Sequence, residues 1–311
     1  MKKFLLKGIG FFILFIIFYV VCLFGYSSFA PQKFRKNVIY VRNGYGYLST
    51  RLVEADKYGP VDVLALGSSH TYRGFDPRIF KRYGISLFNL GSSSQSPVQT
   101  EYLLKKYLDK FHPKVVIYDV YYTTLECDGV ESGLDVFSNT QKFDMGLLSM
   151  ALKLNTIPSY NTFIYSYLKT LKGAKVDTAK IKNLDTYIPG GFVERTLKAD
   201  EYNGQRIAPV HLEMNDMQLK SLNNIIRILK EKNIKLILVQ TPFTPDKFAS
   251  VTNRDSLDHY LSSLKDATYY NFNDTNIYKS NYFFDFTHLN NKGVEMYDSI
   301  LINKLFPGGR L

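Results

Sequence analysis

Cysteine is nearly absent: Cys22 and Cys127 are the two in 311 residues. The first lies inside a long apolar run and the second stands alone in the rest of the chain. No intramolecular disulfide is therefore expected, whatever the redox state of the compartment. Val20-Val21 ahead of Cys22 also lacks the small residue expected beside a lipid-modified cysteine. Acidic residues are missing from the first thirty positions, and there is no internal repeat and no low-complexity tract beyond a short serine cluster at residues 92–96. Nor does any segment have the apolar-poor, highly charged composition of a disordered chain. With 24 tyrosines and 23 phenylalanines, the chain has ample material for a packed core in one large domain or two small ones.

Lys2, Lys3 and Lys7 precede an almost unbroken apolar run over residues 9–26, close to the ~20 residues that span a bilayer. Positive charge ahead of the run predicts a cytoplasmic N-terminus and a C-terminal domain exported across the cytoplasmic membrane. Ser28-Phe29-Ala30 loosely fits a signal-peptide cleavage site. However, Pro31 would follow the cut and the run exceeds the usual apolar segment of such a peptide. An uncleaved single-pass anchor over residues 1–30 is the expectation. Net charge is +11, and +8 remains on residues 31–311 once the anchor lysines are set aside. That balance suits anionic headgroups or an anionic envelope polymer, with simple solubility the plain alternative. Nucleic acid is not an expected partner on the far side of a membrane.

Residues 31–60 read as a stem, and α/β patterning begins at residue 61 of a domain running to 311. Residues 61–66 (VDVLAL) and 85–90 (ISLFNL) are short apolar runs without clean alternation, as suits strands covered on both faces. Ser96-Pro97-Val98-Gln99 reads as a helix start, with serine as cap, proline in the first turn and glutamine three residues on. Leu104, Tyr107, Leu108 and Phe111 give that helix one buried stripe, and residues 114–120 (KVVIYDV) make a third strand after Pro113. Leu219, Leu222, Ile225, Ile226 and Leu229 predict another amphipathic helix. Residues 234–240 and 268–272 predict a fourth and a fifth strand, and residues 294–305 a closing helix. This alternation predicts a mostly parallel sheet with helices on both faces. The pattern breaks at about residues 127–212, a stretch with turn signals at Ile157-Pro158-Ser159 and Pro189-Gly190-Gly191. It is too long for a simple connection and is expected to form a lid or subdomain.

In open parallel sheets, the loops beyond the strands' C-terminal ends build the site. Gly67-Ser68-Ser69-His70 follows the first strand, Asn89-Leu90-Gly91-Ser92 the second and Tyr121-Tyr122-Thr123-Thr124 the third. Asp285-Phe286-Thr287-His288 precedes the last helix. A serine hydroxyl of ordinary pKa is a poor nucleophile and needs a base within hydrogen-bond reach. Histidine fills that role near neutral pH, and a carboxylate holds its tautomer and steadies the imidazolium. Ser69, His288 and Asp285 are thus the candidate catalytic residues, with glycines at 67 and 91 letting backbone N–H groups approach a developing oxyanion. His70, as the neighbour of Ser69, points elsewhere and is a poor base. It is expected to cap local backbone or to contact substrate, and Tyr121 and Tyr122 are further candidates for substrate binding. A metal site from His70, Asp76, Asp285 and His288 has no recognised ligand spacing, so no metal and no other cofactor is expected. His112 and His259 read as surface residues, and His211 has no assigned role.

These blocks resemble the SGNH (GDSL-type) hydrolases over roughly residues 60–305, with the insertion outside the likeness. The resemblance implies a flavodoxin-like, three-layer α/β fold with Ser69 as nucleophile and Asp285 and His288 completing a triad. It also implies that the N–H groups of Ser69 and Gly91 belong to the oxyanion hole. Two departures follow. Ser68 replaces the aspartate of the usual Gly-Asp-Ser block, a form similar to the membrane-anchored branch handling envelope acyl groups, D-alanyl transfer to teichoic acid among them. The usual third block, Gly-x-Asn-Asp, is replaced by residues 119–124, which contain no asparagine. Either a tyrosine or threonine hydroxyl takes over that donor or the activity is feeble, since one oxyanion donor is worth ~10²-fold or more. The expected function is serine-dependent transfer of an acyl group, acetyl first, to or from an envelope polysaccharide or acylated glycan, beside a multi-pass membrane acyltransferase. The alternatives are an esterase or deacetylase with water as acceptor, and a catalytically inactive scaffold that binds polysaccharide. The missing asparagine favours the scaffold, and three chemically matched residues oppose it.

Overall fold

The structure, a computed structural model, describes residues 1–196, 207–274 and 277–309. Helix α1 (Lys2–Phe29) carries the apolar run and is long and apolar enough to cross a membrane, with its apolar stretch unburied by the rest of the chain. The segment over residues 31–60, expected as a stem leading into the domain, is packed against it. Arg35 donates to Ser27 O (2.8 Å), Ile39 N–H to Thr162 Oγ1 (3.1 Å) and Asn43 N–H to Asn139 Oδ1 (2.8 Å). Helix α2 (Leu48–Ala55) then inserts Leu48, Leu52 and Ala55 into the main core. Two turns are too few to show a period in sequence, and Arg51 at their centre reads as a surface residue. Instead Arg51 is fully buried, its guanidinium donating to Gly46 O and Gly191 O and lying over the rings of Tyr72 and Tyr187.

Strand β1 (Val63–Gly67) is followed by the short helices α3 (Ser69–Gly74) and α4 (Pro77–Arg82), then β2 (Leu87–Asn89), α5 (Pro97–Phe111), β3 (Val115–Asp119) and α6 (Tyr122–Glu126). The interruption holds α7 (Val130–Asn139), α8 (Met145–Leu154) and α9 (Ile157–Leu171). It also holds an antiparallel sheet of β4 (Ile181–Lys182), β5 (Asp185–Ile188) and β6 (Phe192–Arg195). The chain resumes with α10 (Asp216–Glu231), β7 (Lys235–Gln240), α11 (Pro245–Ser250), α12 (Arg254–Ser263), β8 (Thr268–Asn271) and α13 (Asn291–Leu305). The main sheet has the order β2-β1-β3-β7-β8, and each neighbouring pair is parallel.

Alternate strand residues enter two different cores. Leu64, Leu66, Val116, Tyr118, Leu236 and Leu238 meet α5 and α10, whereas Val63, Ala65, Val115, Ile117, Ile237 and Val239 meet α4 and α13. Burial on both faces is why these strands read as continuous apolar runs. Helix α5 starts as its sequence requires, Ser96 N–H donating to Gln99 Oε1 at 3.2 Å.

The insertion is no detached lid. Leu134, Val136 and Phe137 of α7 and Leu147, Met150 and Leu154 of α8 share the core of α5 and α10. Its stretch from 197 to 206 lies outside the described residues. The β5–β6 turn seats on the edge of the main sheet, where Gly190 O accepts Asn89 N–H at 2.8 Å. Gly191 has φ +96°, and a Cβ there would stand 1.9 Å from Asn89 O. Backbone cannot yield as a flexible side chain does, so Gly191→Ala is expected to cost ~2 kcal/mol or more. A thermal melt of the full chain in detergent checks this: a melting temperature equal to that of the parent would mean that the turn is not packed in this way.

Candidate active site

The site begins at the end of β1. Gly67 has φ +137°, and a Cβ there would lie 2.4 Å from Thr71 Oγ1 and 2.7 Å from Asp119 O. Only glycine lets β1, α3 and the end of β3 come so close. Ser68 caps α3, its Oγ accepting His70 N–H at 3.4 Å. Ser69 is the first residue of that helix, where a backbone N–H has no intrahelical carbonyl to meet. Among the described residues no other group accepts it.

The second half comes from the loop before α13. Phe283 and Leu289 form an antiparallel bridge, and Asp285 accepts the N–H groups of Thr287 and His288, both at 2.8 Å. The loop folded around this carboxylate presents His288 Nδ1 to Asp285 Oδ2 at 2.8 Å and His288 Nε2 to Ser69 Oγ at 2.8 Å. With the Nδ1 proton given to Asp285, Nε2 is the acceptor for the serine proton. Burial alone would raise the Asp285 carboxyl, but the hydrogen bond and charge of His288, with the two backbone donors, hold it well below the usual carboxylate range. Ser69, Asp285 and His288 are thus brought together, across 219 positions of sequence in the case of serine and histidine.

The His288 ring is clamped between Phe284 (centroids 5.4 Å, 6° between planes) and His70 (4.8 Å, 17°). His70 is itself buried, its Nδ1 3.1 Å from Ser68 Oγ and its ring against Tyr121 at 4.2 Å. Burial pushes its pKa well below the ordinary histidine value, and a charged His288 alongside adds to this. His70 therefore forms a wall for the His288 ring and meets the Ser68 cap, in keeping with the structural one of its two expected roles.

Tyr122 is displaced from its expected role. Its hydroxyl donates to Asp258 at 2.5 Å and accepts from Asn271 at 3.1 Å, and its ring is buried. Tyr121, the extended residue that caps α6, instead lies against the His70 ring and lines the cavity that Ser69 borders. A cavity of about 290 Å³ opens beside Ser69, with Tyr121, Thr123, Glu126, Asp128 and Glu131 among its lining. Thr124 is tied to Tyr121 O at 2.6 Å, and the Thr123 hydroxyl hydrogen-bonds the Tyr121 side chain at the edge of this cavity.

The oxyanion expectation divides. The Ser69 N–H is open, but Gly91 N–H donates to Asn89 Oδ1 at 3.2 Å and is already engaged. Asn89 also gives its amide protons to Thr71 O (2.6 Å) and Phe75 O (3.0 Å), strapping α3 to the loop after β2. Asp119, beneath α3, accepts Thr241 N–H at 3.1 Å and is pushed up to about 7 by burial. The clamping role of Phe284, the strap of Asn89 and the buried Asp119 were not read from sequence. Asn89 lay inside a motif already noted, whereas the other two carry no sequence signal. His112, His211 and His259 are all exposed.

Removing the strap takes the Asn89 bond from Phe75 O and from Gly91 N–H, while Thr71 O keeps the Phe75 N–H at 3.1 Å. Asn89→Ala is expected to cost about 2 kcal/mol of stability and to slow modification of Ser69 by a serine-directed reagent about tenfold through misplacement of the nucleophile. A melt beside labelling kinetics checks both; an unchanged labelling rate would show that α3 is positioned without Asn89.

Among known proteins, a family model for an uncharacterized family matches residues 195–307. The matched region holds β7, β8, α13 and both Asp285 and His288, but not Ser69 or the strands that position it. No curated protein matches the chain.

Proposed function

We propose that residues 61–305 form a flavodoxin-like, three-layer SGNH domain held by α1 at the outer face of the cytoplasmic membrane. In this reading it transfers an acyl group, acetyl in the first instance, to or from an envelope polysaccharide. The observation that carries the reading is the unbroken line Ser69 Oγ, His288 Nε2, His288 Nδ1, Asp285 Oδ2, with 2.8 Å at each of its two hydrogen bonds. Support also comes from the strand order and from the site's position past the C-terminal ends of parallel strands. The adjoining cavity is lined by hydroxyls and carboxylates, groups that hydrogen-bond well to sugar hydroxyls.

In the acylation step, Ser69 Oγ bonds to the acyl carbon as its proton passes to His288 Nε2. Asp285 steadies the imidazolium, the proton leaves with the departing alcohol, and the acyl group remains on Ser69. An acceptor hydroxyl then attacks, giving its proton to His288 and releasing serine. The oxyanion is met by Ser69 N–H, with the Thr123 hydroxyl as second donor in place of the absent asparagine. Water as acceptor turns the same sequence of steps into an esterase. The anchor favours transfer, because it holds the site beside a multi-pass membrane acyltransferase that would supply the acyl group.

A fluorophosphonate applied to the full chain is expected to form a single adduct on Ser69, lost in Ser69→Ala and in His288→Ala. A folded chain that gives no adduct would falsify the activated nucleophile and leave the scaffold reading. Thr123→Val should slow acylation ~10²-fold if its hydroxyl is the second donor, with Thr123→Ser retaining most of the rate.

Asp285 remains ionised from roughly pH 5 to 8, because its pKa is depressed. Asp119, beneath α3, is pushed up to about 7 by burial, so it loses its charge as the pH falls through that value. Asp119→Asn removes this change, and the acylation rate of the variant should vary less than that of the parent between roughly pH 6 and 8. An identical profile in the two proteins would show that the charge of Asp119 does not reach Ser69.

A further inference from the structure

Helix α9 is built the wrong way round for water. Its buried residues are Ser159, Asn161, Thr162, Tyr165 and Ser166, whereas Ile157, Tyr167 and Leu171 are 63%, 43% and 65% exposed. A surface helix normally buries its apolar stripe and exposes its polar one. The half-buried Tyr160 and Ile164 fall between these exposed residues at helical spacing, so the outward stripe is continuous. The one charged residue of α9, Lys169, lies off that stripe.

The stripe borders the face of α9 that packs on α1. Tyr19 donates to Asn161 Oδ1 at 2.5 Å, Tyr165 donates to Ser27 O at 3.2 Å, and the Phe24 and Tyr165 rings lie 5.6 Å apart. These contacts set a depth. A bilayer core takes ~20 residues of helix, so with Lys7 at the inner headgroups it ends near Ser27. Tyr19, eight residues earlier, then lies about 12 Å below that outer boundary at ~1.5 Å per residue. Asn161 is bonded to it there, Tyr165 marks the boundary through its bond to Ser27 O, and Ile157 is one turn deeper than Asn161.

We propose that α9 is a second membrane-contacting element, with Ile157, Tyr160 and Ile164 seated in the hydrocarbon alongside α1 and Tyr167 and Leu171 at the level of the outer headgroups. The inference rests on α1 being an uncleaved span. Lipid as the occupant follows from continuity with that span and from charge. Lys172, 4.4 Å from the Phe24 ring, and Arg35, bonded to Ser27 O, stand at the level where anionic headgroups lie. The insertion then has a physical purpose: it seats the catalytic domain on the membrane surface instead of leaving it on a tether.

The chain contains no tryptophan, so a single introduced one reports its own surroundings. Full-length Ile13→Trp (in α1), Ile157→Trp and His259→Trp (exposed, on α12) would each be reconstituted in phosphatidylethanolamine–phosphatidylglycerol vesicles, with and without phosphatidylcholine brominated on its acyl chains. Ile13→Trp and Ile157→Trp are expected to show blue-shifted emission and strong loss of intensity with brominated lipid, and His259→Trp neither. Quenching of Ile13→Trp while Ile157→Trp behaves like His259→Trp would keep the span and overturn the docking of α9, leaving the stripe for a protein to cover. Loss of quenching at both positions would overturn the anchor itself, and the docking with it.

Discussion

The close approach at Gly67 governs where Ser69 stands relative to the rest of the molecule. Here the last residue of β1, the first turn of α3 and the end of β3 touch, with Thr71 Oγ1 also donating to Leu66 O at 3.1 Å. The β1–β3 register places Gly67 opposite Asp119, so the same crossing sets the height at which Ser69 leaves the sheet. A side chain at residue 67 would push α3 away, and the 2.8 Å contact between Ser69 and His288 would open with it. Serine is placed by backbone crowding, and His288 by a loop folded around its own carboxylate. The two halves then meet through the hydrogen bond between Ser69 Oγ and His288 Nε2.

What keeps them in register comes largely from the insertion. Arg73 of α3 makes two hydrogen bonds to Asp185 of β5, at 3.2 and 2.8 Å. The guanidinium groups of Arg73 and Arg195 also lie over the Phe284 ring, 5.4 and 4.8 Å from its centroid, while its planar neighbour is His288. Thus β5 and β6 brace α3 directly and His288 through one aromatic ring. Arg51 extends the same bracing to α2 by donating to Gly191 O. A fully buried guanidinium is costly, and its pKa is lowered by that burial. Three hydrogen bonds to backbone carbonyls and two flanking rings offset the cost.

The repeating parts of this design were legible in the sequence because they have a period or a cap. The strands at 61–66 and 114–120, the Ser96–Gln99 helix start and the Asp-x-x-His loop each carry a local signal, and each lies where that signal put it. The errors arose where long-range packing decided. Tyr121 and Tyr122 are equivalent in sequence, but only the fold sends one toward Ser69 and the other toward Asp258. Gly91 was read as an open donor because its competitor, Asn89 Oδ1, is two residues away on a turn whose shape the sequence does not show. Residues 31–60 were read as a stem because their bonds go to Asn139 and Thr162, partners about a hundred positions or more distant.

That last correction changes what the membrane can do to the site. A flexible stem would let the catalytic domain sample many heights and orientations, and proximity to a membrane-bound donor would then be only an effective concentration. Here the end of α1 is bonded to residues of α9, and α7 and α8 beside it belong to the core of the main sheet. The insertion's strands in turn hold α3. Rigid packing therefore runs from the apolar helix to Ser69 through side chains that each have a defined partner. In the proposed function, the nucleophile stands at a set height and facing above the lipid. A donor exporting acyl groups would have to deliver them to that point, which constrains the reacting geometry far more than tethering does.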